Sequence, residues 1–137
     1  MRRNAQKILG LFLFTVVLIF ASACTSDPVD LPAGVEADGK TLKISLEENP
    51  TTGFSWDYTV SDETLLEVVD DEYIPSNTET AVVGSGGIHV FEFQGLKEGE
   101  TTLTFNYFKS WEGTEKTEDT RVYKIIVDQD GNIDDVR

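Results

Sequence analysis

Thr41-Leu42-Lys43-Ile44-Ser45-Leu46, the turn Asn49-Pro50-Thr51-Thr52-Gly53, and then Phe54-Ser55-Trp56-Asp57-Tyr58-Thr59-Val60 form the stretch on which the fold turns. Leu42, Ile44 and Leu46 alternate with Lys43 and Ser45, while Phe54, Trp56, Tyr58 and Val60 alternate with Ser55, Asp57 and Thr59. An extended chain points successive side chains to opposite faces, so a period of two predicts two strands, each with one buried face. Pro50 and Gly53 break the alternation and mark the connection between them.

The same pattern continues toward the C-terminus. Residues 65–69 read as a less regular apolar strand, and Asp70-Asp71-Glu72 with Pro75-Ser76-Asn77 predict a mobile surface loop. A strand over residues 88–94 sets Phe91 and Phe93 on one face, and residues 95–100 turn the chain. Leu103, Phe105 and Tyr107 alternate next, followed by a polar segment over 112–119 and by Tyr123, Ile125 and Val127. No stretch sustains a helical period. Many short strands, with no helices to cover a parallel sheet, predict an all-β, immunoglobulin-like antiparallel β-sandwich in a single domain.

Toward the N-terminus the character changes. Met1-Arg2-Arg3 and Lys7 precede an apolar run from 8 to 20, then Ala21-Ser22-Ala23-Cys24, the layout of a cleaved export signal over residues 1–23. The apolar run, about 13 residues, is shorter than the ~20 that a spanning helix needs. The small residues before Cys24 resemble a lipoprotein processing box, in which Ala21 stands where Leu is usual. On that reading Cys24 carries a lipid, the protein is exported and anchored to the cell envelope, and residues 24–37, with Pro28, Pro32 and Gly34, serve as a tether. The domain is expected over 38–128, with 129–137 as an acidic tail. Asp128, Asp130, Asn132 and Asp134 hint at a metal loop, but Gly at the sixth position, a closing Glu and flanking helices are all missing, which favours a solvated tail and no metal.

Composition narrows the function. The formal net charge is −14, and Arg2, Arg3 and Lys7 lie ahead of Cys24 while all 25 acidic residues follow it, so the remaining 8 basic residues leave −17. That balance excludes nucleic acid as a partner and adhesion to anionic lipid by charge; a solubilising acidic surface on a monomer is expected. With one cysteine no internal disulfide can form, so stability must come from the core. His89, the only histidine, lies within a strand pattern, where a packed or hydrogen-bonded ring is the expectation, and no serine occupies a nucleophile elbow. No pair of carboxylates is singled out by spacing for glycoside chemistry. The chain reads as a non-enzyme without a cofactor.

Three connections carry the functional reading. In Asn49-Pro50-Thr51-Thr52-Gly53-Phe54, proline fixes one φ and restricts Asn49, and glycine permits positive φ, giving a stiff loop that presents two threonines. Gly84-Ser85-Gly86-Gly87 strips away side chains and so admits a partner's backbone to main-chain hydrogen bonding. Lys109-Ser110-Trp111-Glu112 offers an indole from a polar loop, a large contact area at small entropic cost. Taken together and in this order, they resemble the NPTTG-aromatic, GxGG and Arg-Pro-Trp loops of chagasin-like inhibitors of papain-family cysteine proteases. The resemblance covers about residues 38–128. It departs at Lys109 and Ser110, which stand for Arg and Pro and imply a less rigid third loop. It implies that the loops cluster at one end as a wedge that occludes a protease cleft. Thr51 and Thr52 would approach the protease's catalytic cysteine and histidine, the backbone of 84–87 the non-primed side, and Trp111 the primed side. The alternative is an envelope lipoprotein whose sandwich binds another surface molecule through the same loops without inhibiting anything.

Overall fold

The computed structural model describes residues 30–76, 84–113 and 115–137. The expected export signal over 1–23 and Cys24 lie outside the described residues, as do residues 25–29 of the expected tether. Eight strands are described: β1 (Val35–Asp38), β2 (Thr41–Glu48), β3 (Phe54–Val60), β4 (Leu66–Pro75), β5 (Gly87–Gly95), β6 (Gly99–Lys109), β7 (Thr117–Val127) and β8 (Ile133–Val136). They form two four-stranded sheets in the orders β1-β2-β5-β4 and β3-β6-β7-β8, with every pairing antiparallel.

The period of two buries what it predicts. Leu42, Ile44 and Leu46 of β2 and Phe91 and Phe93 of β5 face Leu103 and Phe105 of β6 and Tyr123, Ile125 and Val127 of β7, all buried in one core. Tyr58 of β3 meets Phe91 and Phe93 edge-on at 5.7 and 5.3 Å between ring centroids, and Phe105 leans on Phe91 at 4.9 Å. Edge-to-face geometry sets the positive rim of one ring against the negative face of the next. Each such fully buried side chain contributes about 1.5–3 kcal/mol relative to exposure, and no disulfide is needed to explain the sandwich.

Three expectations are corrected at the edges. The tether does not extend to residue 37, because Val35–Asp38 pairs with β2 and Val35 is buried. Asp70, Asp71 and Glu72 are not loop but strand, paired with Glu92, Phe91 and Val90 after a bulge between Val68 and Asp70. β4 is an edge strand whose side chains are mostly exposed, so burial imposes no alternation on it and charge there discourages pairing with other chains. Nor is 129–137 a solvated tail: β8 adds to β7, and Val136 sits in the core at 2 % exposure. Ile133 and Val136 are three apart, the wrong spacing for one face of a regular strand. The register shift between Ile126 and Val127 supplies the extra residue that lets both pack against the core. Asp128 closes the turn into β8, its carboxylate accepting the backbone N–H of Asp130 and Asn132 and the Asn132 side-chain amide at 2.8–2.9 Å.

Candidate functional site

Register brings three connections together. Glu48, the last residue of β2, pairs with Gly87 at the start of β5; Gly87 also pairs with Pro75 at the end of β4; Phe54 at the start of β3 pairs with Lys109 at the end of β6. The loops at 49–53, 84–87 and 109–112 therefore leave the sandwich at the same end.

The first loop is a single 3-10 turn, Pro50–Thr52, entered from an extended Asn49 and left through Gly53 at φ +81°. The turn is closed by Thr52 N–H to Asn49 O and Gly53 N–H to Pro50 O, at 3.1 and 2.9 Å. Both threonines are exposed, and their hydroxyls donate back to Asn49: Thr51 to its side-chain oxygen and Thr52 to its carbonyl, each at 2.6 Å. Asn49 also donates from Nδ2 to Gly84 O at 3.2 Å and from its backbone N–H to the Tyr107 hydroxyl at 3.3 Å. This one residue thus orients both threonines and fastens the first loop to the second and to β6.

The glycines of the second loop divide into two kinds. A Cβ at Gly86 would lie 2.8 Å from Glu48 O, and one at Gly87 would lie 2.3 Å from Ile74 O and 2.7 Å from the Tyr73 ring. Those two glycines let the strands close up beneath the loop. Gly84, at φ +97°, has open space among the described residues where a side chain would be. Sequence reading assigned all of them to backbone access for a partner, and packing accounts for two.

In the third loop Lys109 is the final residue of β6, its Nζ 5.0 Å from the centre of the Phe54 ring, so the cation lies over the aromatic face. Glu112 N–H donates to Lys109 O at 2.9 Å, and Ser110 N–H donates to Gly53 O at 3.4 Å. A proline at 110 has no N–H to make that tie, so the departure from the Arg-Pro-Trp pattern adds a link between the third loop and the first. Trp111 is 67 % exposed, the most exposed of the large apolar residues among the described residues, and the rim of its indole seats on Gly53, where a Cβ would stand 2.1 Å from the ring.

Beneath the loops lies a support that sequence reading did not assign. The Tyr107 ring stacks on Phe54 at 5.2 Å and leans on Trp56 at 4.8 Å, while the Trp56 indole N–H donates to Glu47 O at 2.9 Å. Glu48, 6 % exposed, accepts the Trp56 backbone N–H at 2.9 Å across the gap between the sheets. His89 bridges two carboxylates, with Nδ1 2.7 Å from Glu48 Oε2 and Nε2 2.5 Å from Asp71 Oδ1. Burial by itself would lower the His89 pKa, but hydrogen bonds to Asp71 and Glu48 and attraction to their charges outweigh it, so the ring titrates above the ordinary 6.5. With both nitrogens engaged the ring is a structural group, as the sequence suggested, and no ring nitrogen is left to serve as a base. The partners of His89 and Asn49 lie up to 58 residues away in the chain, and the sequence pattern carries no signal for them: it reads Asp71 as loop, and nothing local links residues 48, 71, 89 and 107.

Comparison with known proteins agrees with this geometry. The model of the chagasin family of peptidase inhibitors, I42, matches residues 37–125. Amoebiasin-2 of Entamoeba histolytica is 26 % identical over 86 residues, covering 63 % of this chain and 69 % of that protein. Chagasin of Trypanosoma cruzi is 28 % identical over 81 residues, covering 56 % of this chain and 72 % of that protein. A solved structure described as the cysteine protease inhibitor EhICP2 from Entamoeba histolytica superposes with a TM-score of 0.55 at 24 % identity, covering 63 % of this chain and 77 % of that one. At that identity the superposition speaks for the shared sandwich.

Proposed function

Because the chain belongs to the chagasin family of peptidase inhibitors, which are not enzymes, we propose that it inhibits papain-like cysteine proteases by seating its three clustered loops in the active-site cleft. The observation that carries this reading is the fastening of the first loop to both others, through Asn49 to Gly84 and through Gly53 to Ser110 and Trp111. A wedge held in this way loses little conformational freedom on binding, and preorganisation of that kind is worth more than added area. Thr51 and Thr52 are exposed at the loop, Gly84 has open space among the described residues where a side chain would be, and the Trp111 indole is largely exposed. Occlusion needs no bond to be made or broken by the inhibitor. A standard interface buries ~800 Å² on each partner, an area that three neighbouring loops can supply.

Titration of purified residues 25–137 against papain or cathepsin L tests this directly. Stoichiometric loss of protease activity, with the loop at 49–53 intact by mass spectrometry after prolonged incubation, is the expected result. Cleavage within that loop would make the chain a substrate, and full protease activity at equimolar inhibitor would favour an envelope binding module that inhibits nothing. We further propose export and anchoring to the cell envelope through a lipid on Cys24. The support is the arrangement of residues 1–24 in the sequence, and the check is whether Cys24→Ser releases the protein from the membrane fraction.

A further inference from the structure

We propose that Glu48, His89 and Asp71 form a proton-operated clamp on the base of the wedge, holding the loops at 49–53 and 84–87 in register while the imidazole is charged and loosening them when it is not. The proposal rests on the inhibitory reading of those loops and adds to it a regulation by pH.

An ionised carboxylate only accepts hydrogen bonds, so where Glu48 and Asp71 are both ionised the ring lying against them carries a proton on each nitrogen. Protonated, His89 is the counter-ion of Glu48, whose side chain is 5 % exposed, and of Asp71, whose side chain is 50 % exposed. The groups that face it are few: Glu48 from β2, Asp71 and Tyr73 from β4, with Phe91 of its own strand stacked at 4.0 Å and Tyr58 of β3 near enough to feel the charge of Asp71. Among the described residues neither carboxylate is paired with a lysine or arginine.

Loss of one proton changes this arrangement unequally. A neutral ring keeps one N–H and turns a lone pair toward the other carboxylate. Asp71 can swing into water, whereas Glu48 is buried, and a charge left there without its counter-ion is costly. Glu48 is also the residue that precedes Asn49 and that holds the Trp56 N–H at the start of β3. Gly86 packs against the Glu48 carbonyl and the Asn49 side chain. Strain at Glu48 therefore reaches both loops through one residue.

The sign follows from linkage. A histidine whose folded pKa stands above its unfolded value contributes stability that is complete below about 6.5 and is lost as pH rises through the folded value. The wedge should thus be tightest below about pH 6.5 and weaken as pH rises through the folded value.

Because His89 is the only histidine, its NMR titration can be read without assignment in the full chain, purified in detergent without a polyhistidine tag. The expected result is a midpoint above 6.5, backbone amide signals of Asn49 and Trp56 that move with that same midpoint, and a lower midpoint in Asp71→Asn. The second measurement is the inhibition constant of the natural chain divided by that of His89→Gln on the same protease, which cancels the protease's own ionisation. That ratio should rise about fivefold or more between about pH 6 and about pH 9, the lower end of ordinary coupling between sites. A midpoint at or below 6.5, amides of Asn49 and Trp56 indifferent to the titration, or a flat ratio would each overturn the clamp. If no form inhibits at any pH, the inhibitory reading fails, and the amide titration still decides the clamp.

Discussion

At Gly53 the backbone stands at φ +81° and the rim of the Trp111 indole occupies the place where a Cβ would be, 2.1 Å away. Two separate demands thus fall on a residue that sequence reading credited with one, the positive φ. Gly53→Ala should lower stability by about 1–2 kcal/mol from backbone strain and also unseat Trp111, so that thermal unfolding and inhibition both suffer. Trp111→Ala should separate the two effects. The indole is 67 % exposed, so its removal should leave the melting temperature nearly unchanged. As an interface anchor it should cost about 2–4 kcal/mol of affinity, roughly 30- to 900-fold in the inhibition constant. Affinity loss below threefold in Trp111→Ala would remove the indole from the contact surface.

Among the elements, the first loop owes its shape to Asn49 more than to Pro50. Proline sets the entry to a three-residue turn, but Asn49 orients the Thr51 hydroxyl and ties the loop to Gly84. Asn49→Ala keeps the strands and loses these partly exposed bonds, each contributing about 0.5–1.5 kcal/mol. Inhibition should therefore weaken about tenfold while the melting temperature falls little, and hydrogen exchange at residues 50–53 should accelerate. Unchanged exchange would mean that the backbone of the turn is self-sufficient. The strands divide in a related way. β2, β3, β5, β6 and β7 were legible because one face of each packs in the core and burial imposes a period of two. β1, the acidic half of β4 and β8 were not: these edge segments bury few side chains, unlike the edge strand β3, whose Trp56, Tyr58 and Val60 pack on the core, and bulges in β4 and at β8 shift the period where it exists.

For the whole molecule, the sandwich extends to the last residues of the chain. Val136 is 2 % exposed and pairs with Ile125, so Val136→Ala should destabilise by about 2 kcal/mol, two buried methyl groups and the space they leave. In a domain of roughly 100 residues that lowers the melting temperature by about 8–16 °C. A drop under about 2 °C would return residues 129–137 to the role of a tail. Because β8 borders β7, which leads into the third loop from the far side, stability and inhibition should fall together only near the unfolding temperature.

The sequence by itself determined the local matters: which segments are extended, where proline and glycine interrupt them, that the chain is acidic, and that its three loops follow one another in the manner of the chagasin family. These depend on neighbours in the chain, through side-chain period and turn chemistry. Only the tertiary structure decided which ends meet. Pairing of Phe54 with Lys109 and of Glu48 with Gly87 gathers the loops and sets His89 between two carboxylates from other strands. Such contacts depend on register between distant segments, and register is selected by how the buried faces of all the strands fit at once.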